Sequence, residues 1–199
     1  MRILMLGNSL TFANDMPRML AELTGVEVVH HTRGGARLSE HLNPATRLGA
    51  RTEAALADET WDYVVLQEMS HGPVTSPKSF FSSVERLCVQ IRRNGAVPVL
   101  YATWAYREGC PKLAEKGWTH DGMADALSGA YRQAAQNNHA LLADAGRKFR
   151  ELSGAHNLYA DDGIHPSELG SRIAAQCIAS AIQSGETEGH PNAETKMDP

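Results

Sequence analysis

Short apolar runs alternate with amphipathic segments along this chain, and that alternation constrains the fold more than any other feature. Ile3–Leu6, Val26–His30, Tyr63–Leu66, Val97–Tyr101 and Ala140–Ala143 read as strands. Tyr63-Val64-Val65-Leu66 is apolar at consecutive positions, the pattern of a strand covered on both faces. Between these runs lie helical segments at about Met16–Leu23, Ser79–Arg93, Gly122–Gln136 and Ser167–Ile182. Asn14 or Asp15 would cap the first, with Pro17 in its first turn. In the second, Phe80, Val84, Leu87, Cys88 and Ile91 share a face. Strands alternating with helices predict an α/β fold, a three-layer α/β/α sandwich around a five-stranded parallel sheet of flavodoxin-like form. Ligands of such sheets bind at the carboxyl ends of the strands.

The chain's 199 residues suit one domain, here 1–184. After Ser184 the sequence is polar and offers almost nothing to bury, so 185–199 is expected to be a disordered tail. The formal net charge is −4 and no basic block occurs, which argues against nucleic-acid binding. Cys88, Cys110 and Cys177 are odd in number and widely spaced, so a disulfide framework or structural zinc site is not expected. The apolar run at Ile3–Leu6 is too short for a signal-peptide core, and no later run is long enough to span a membrane. A cytoplasmic protein is expected.

Two segments could carry chemistry. In Leu6-Gly7-Asn8-Ser9-Leu10-Thr11 a strand ends, the chain turns on glycine, and Ser9 stands where a helix begins. That turn leaves backbone N–H groups free to face an anion. A serine hydroxyl is a weak nucleophile and needs a base; alternatively Ser9 merely caps the turn. In Asp161-Asp162-Gly163-Ile164-His165-Pro166-Ser167, a carboxylate precedes an imidazole by three positions, just before a helix. Asp162 could bind one imidazole nitrogen and leave the other free to take a proton, or it could cap a turn beside a surface histidine. Asp161 is a rival acid, disfavoured by spacing.

Together these segments resemble the SGNH/GDSL hydrolase superfamily. Gly7-Asn8-Ser9-Leu10 matches its Gly-Asp-Ser-Leu block, and Asp162-Gly163-Ile164-His165 its closing Asp-x-x-His block, with Gly170 beyond. Gly34-Gly35 supplies the glycine after the second strand. The resemblance implies an ester hydrolase with Ser9, His165 and Asp162 as catalytic triad, no metal or other cofactor, and a small-molecule ester as substrate. Carbohydrate O-acetyl esters are one candidate class. It also implies an oxyanion hole made by the Ser9 and Gly35 N–H groups. Asn8 departs from the usual aspartate. The Gly-x-Asn-Asp block after the third strand is replaced by Leu66-Gln67-Glu68-Met69-Ser70. Gln67 could present its amide to the oxyanion, or it could tie down the loop with Glu68 an exposed charge.

His71 and Trp104 are candidate substrate contacts; Trp104 and Tyr106 could equally cover the core. Arg107–His120 reads as a loop beside the site, a lid or specificity loop. His30, His31 and His41 invite a metal reading, but His30 and His31 occupy adjacent strand positions and point to opposite faces, so no metal site is expected. Two other readings stand beside the hydrolase: a binding module holding phosphate at Gly7-Asn8-Ser9 with Arg33 or Arg37, and a folded but inactive hydrolase. Nothing in the sequence identifies an oligomer surface.

Overall fold

The computed structural model describes residues 1–187. In chain order the elements are β1 (Arg2–Gly7), α1 (Ser9–Phe12), α2 (Met16–Thr24), β2 (Glu27–Thr32), α3 (Leu38–His41), α4 (Arg47–Asp58), β3 (Tyr63–Leu66), α5 (Gly72–Thr75), α6 (Pro77–Arg93), β4 (Val97–Ala102), α7 (Pro111–Glu115), α8 (His120–Asn137), β5 (Leu141–Asp144), α9 (Ala145–Leu152) and α10 (Glu168–Thr187). The strands form one sheet in the order β2-β1-β3-β4-β5, and every pairing is parallel.

Alternate strand residues feed opposite faces. Leu4, Leu6, Val64, Leu66 and Leu100 pack with α4, α6 and α8. Ile3, Met5, Val65, Val99 and Tyr101 pack with α2, α9 and α10. Both faces are therefore covered, which explains why Tyr63–Leu66 has no polar side. The chain leaves β1 toward β2 through α2 on one face and returns to β3 through α4 on the other. The strand order thus reverses between β1 and β3, and a crevice opens beyond their carboxyl ends. Ser9 follows one of these strands and Gln67 the other.

The expected strands and helices are present, with shifted ends. Neither Asn14 nor Asp15 caps α2 through its side chain. Instead the Asn14 amide donates to Pro166 O (3.0 Å) and Ser171 Oγ (2.8 Å), tying the start of the chain to its end. The final helix runs to Thr187, so the first three residues of the expected tail are helical; the rest, 188–199, lies outside the described residues. Two eight-to-twelve-residue helices, α4 and α9, were not anticipated. The buried face of α4 is Leu48, Gly49, Thr52, Ala55 and Leu56, which gives little apolar contrast. α9 follows β5 without a loop, because Asp144 ends the strand and also caps the helix, accepting from Arg147 N at 3.0 Å.

Candidate active site

The first wall of the crevice is built by the turn after β1. Asn8 caps α1, its Oδ1 accepting from Leu10 N at 3.0 Å, and Ser9 is the first helical residue. There the helix leaves its N–H unclaimed. Gly7 is required by crowding: a Cβ there would lie 2.4 Å from Thr11 Oγ1 and 2.6 Å from Gln67 Oε1. After β2, Gly35 adopts a left-handed φ of 69°. The Asn8 Nδ2 donates to Ala36 O at 2.9 Å and clamps this second loop against the first.

The loop before α10 brings His165 over Ser9. It folds as a tight hairpin, Ala160 N to His165 O (2.8 Å) and Ser167 N to Leu158 O (2.9 Å). Arg107 N donates to Gly163 O at 2.8 Å, and the Trp104 indole N–H donates to Ile164 O at 3.0 Å. Gly170 allows α10 to approach, since a Cβ there would lie 2.2 Å from Leu158 O. The result is a line of three groups. Ser9 Oγ is 2.9 Å from His165 Nε2, and His165 Nδ1 is 2.6 Å from Asp162 Oδ2. Asp162 Oδ1 accepts from the N–H groups of Ile164 and His165, both at 2.9 Å. Partial burial pushes this carboxyl up, but the His165 contact and the two N–H donors outweigh it, and the pKa falls to about 2. Asp162 is therefore ionised at neutral pH, and an imidazole so held can take a proton from the Ser9 hydroxyl. The rival Asp161 is exposed and contributes only its carbonyl, to Arg107.

Ser9, Gly35, His71, Asp162 and His165 line a cleft of about 490 Å³. Tyr106 forms part of its wall, bonded through its hydroxyl to His71 Nδ1 (2.8 Å) and Ser70 Oγ (3.0 Å). Burial, with Lys116, Arg37 and Lys112 nearby, lowers the His71 pKa, which favours the neutral ring. The expected loop 107–120 contains α7, and its Cys110, Pro111, Lys112 and Glu115 close one side of the cleft. A larger crevice of about 600 Å³ lies between β5, α9 and α10. Neither Ser9 nor His165 lines it; both line the smaller cleft.

Two expected site residues stand elsewhere. Trp104 is buried, stacked on Phe149 at 3.7 Å, and backs the His165 loop from the core. It does not line the cleft; Tyr106, two residues on, does. Gln67 does not aim its amide at the oxyanion position. It is 1% exposed; its Nε2 donates to Glu68 O, and its Oε1 accepts from Asn8 N and from Thr11 Oγ1, both at 2.9 Å. Glu68, expected as an exposed charge, is 3% exposed and held by backbone donors. The sequence signal for both was their position directly after a strand buried on both faces. Arg33, a candidate phosphate ligand, is engaged by Glu40. Among the described residues, no cluster of three metal-ligating side chains occurs, and no helix is long and apolar enough to cross a membrane.

The chain matches the model of the GDSL-like lipase/acylhydrolase family over residues 5–173. It is 58% identical to a solved candidate SGNH hydrolase from Slackia heliotrinireducens, with 92% of this chain and 98% of that one aligned at a TM-score of 0.89. A DUF4886 family protein from Bacteroides uniformis is 21% identical, with coverages of 100% and 89% and a TM-score of 0.70. A mutant acetyl-xylooligosaccharide esterase from Geobacillus is 18% identical, with coverages of 91% and 93% and a TM-score of 0.66. These last two likenesses are of fold. No curated protein matches the chain in sequence.

Proposed function

Since this chain belongs to the GDSL-like lipase/acylhydrolase family, and is a hydrolase on that ground, we propose that it cleaves small carboxylic esters through a triad of Ser9, His165 and Asp162. The observation that carries this reading is the line of contacts from Ser9 Oγ through the His165 ring to Asp162. His165 Nε2 takes the hydroxyl proton as Ser9 Oγ attacks the ester carbonyl. The tetrahedral oxyanion is held by the N–H groups of Ser9 and Gly35. The C–O bond to the alcohol breaks, His165 returns its proton to the leaving oxygen, and an acyl-serine remains. Water then attacks the acyl carbon as His165 takes its proton, the bond to Ser9 Oγ breaks, His165 returns the proton to that oxygen, and the acid is released. Asp162 stays ionised and stabilises the imidazolium. His71 is the proposed side-chain contact to substrate, and loop 107–120 the proposed specificity wall. No cofactor enters these steps. The three unpaired thiols are consistent with the cytoplasm as its compartment.

The test is turnover of p-nitrophenyl esters of increasing acyl length, beside Ser9→Ala and His165→Ala. Each substitution is expected to lower kcat by at least about 10⁴-fold, the scale found when such a triad is broken. If the folded wild type is as inert as both variants on these esters and on O-acetylated sugars, and Ser9 is not labelled by a fluorophosphonate, the esterase reading is wrong, and phosphate binding then separates the binding module from the inactive hydrolase.

A further inference from the structure

Three strand-end loops meet at the cleft: the turn after β1 with Ser9, the loop after β2 with Gly35, and the loop after β3 with Ser70 and His71. Each has to be held in register with the others for the N–H groups of Ser9 and Gly35 to converge on one oxygen. The residues after β3 reach all three. Gln67 Oε1 accepts from Asn8 N in the first turn and from Thr11 Oγ1 on α1, both at 2.9 Å. Glu68 Oε2 accepts from Leu38 N at 3.2 Å, just beyond the second loop. Glu68 Oε1 accepts from Met69 N at 2.8 Å, at the head of the third. Glu68 N in turn donates to the Tyr131 hydroxyl at 3.3 Å, anchoring the pair to α8.

Both side chains are nearly sealed from solvent, where fixed hydrogen bonds hold geometry tightly and a lost partner is costly. The packing around them is equally close. A Cβ on Gly72 would fall 2.8 Å from Glu68 Cγ, as one on Gly7 would collide with the Gln67 carbonyl. No protein cation forms an ion pair with Glu68 among the described residues; backbone donors hold it instead. A buried carboxylate held only by backbone N–H groups adds nothing to a hydrophobic core.

We propose that Gln67 and Glu68 are positioning residues for the reaction, a buried polar strut that sets the separation of the Ser9 and Gly35 N–H donors. It does by bracing what a side-chain asparagine donor would do by contact. This inference rests on the esterase reading, and the experiment separates the two.

Glu68→Gln preserves shape but turns one acceptor into a donor facing a backbone N–H. Thr11→Val, a second variant of small volume change, removes one donor from Gln67 and leaves the carboxylate untouched. Active sites are counted by fluorophosphonate labelling carried to completion, and kcat and KM for p-nitrophenyl acetate are measured per labelled site. Glu68→Gln is expected to lower kcat per site by about 10- to 100-fold, and Thr11→Val by a few-fold, with KM within about threefold of wild type, as misplacement of reacting groups does. A purely structural role would reduce the number of labelled sites or the melting temperature and leave kcat per site unchanged. If both variants keep kcat per site within about twofold of wild type, the strut proposal is wrong. If Glu68→Gln does not fold, Thr11→Val alone decides. If wild type neither labels nor turns over, it is the esterase reading that fails.

Discussion

Asn8 illustrates how much one atom settles at this site. Its Oδ1 caps α1 and its Nδ2 donates to Ala36 O. An aspartate, the residue more usual in this block, could do the first but not the second. Asn8→Asp would set a carboxylate oxygen against the Ala36 carbonyl in a region with 2% exposure. The expected result is a loss of stability of about 1–3 kcal/mol and about a tenfold fall in kcat, seen by urea unfolding and ester hydrolysis; full activity would mean the Ala36 contact does not hold the Gly35 loop. Asp162, a largely exposed carboxyl held by His165 and two backbone N–H groups, is shifted downward. Its folded pKa of about 2 lies below its unfolded value near 3.8, so its contribution is complete above pH 3.8 and is lost as pH falls through 2. At this scale the sequence was legible where partners are local. Asp162 and His165 sit three residues apart on one turn, so spacing suggests their contact, but spacing alone left a capped turn beside a surface histidine equally open, and it was the resemblance that singled the pair out. The sequence left open whether Gln67 faces an oxyanion or ties down its loop, and made Glu68 exposed, because their partners, Asn8, Thr11 and Leu38, lie about 30 to 60 residues away, and no local pattern says which way a side chain turns.

The loop before α10 is the element on which His165 depends. It is pinned on one side by Trp104 and Arg107 and on the other by the close seating of α10 at Gly170. Gly170→Ala would force that helix away from Leu158 O. Overpacking of this kind costs about 1–3 kcal/mol, and the movement is transmitted to a loop whose imidazole has to stay within reach of Ser9. Both the urea midpoint and kcat per labelled site are expected to fall; a lower midpoint with unchanged kcat would show that α10 supports the fold without aligning the base. Strands were legible as elements because double burial removes every polar residue from β3 and nearly every one from β1. α4 was not, since its core face is mostly small or polar residues, and α9 was hidden by the absence of any turn signal between it and β5.

For the molecule as a whole, two buried histidines set a limit on the acid side. His31 and His41 are each 3% exposed; among the described residues His31 Nδ1 has no hydrogen-bond partner, whereas the His41 ring is held by Thr52 Oγ1 at 2.9 Å. Burial lowers both pKa values to about 4, with Arg51 adding to the effect at His31. Folding therefore keeps them neutral, while the unfolded chain protonates them near pH 6.5. Stability is expected to decline as pH drops from about 6.5 to 4, by up to about 1.4 kcal/mol per pH unit for each proton taken up only on unfolding. Urea midpoints measured from pH 7 to 4.5 should fall, and less steeply in His31→Gln; identical slopes would remove His31 from the account. The three-layer architecture itself was legible because the alternation of strand and helix fixes connectivity, whereas the partners of individual buried polar groups follow only from the finished packing. The same architecture has a temporal side. Ser9 and His165 are separated by 156 positions in the chain, so at about 5–20 residues per second the proposed base is synthesised roughly 8–30 s after the hydroxyl it would serve. On the proposed mechanism, a chain in which α10 has not yet docked on α2 beside the Asn14 tether has no working site, and activity during refolding is expected to appear with the closing of the two ends rather than with the formation of the sheet.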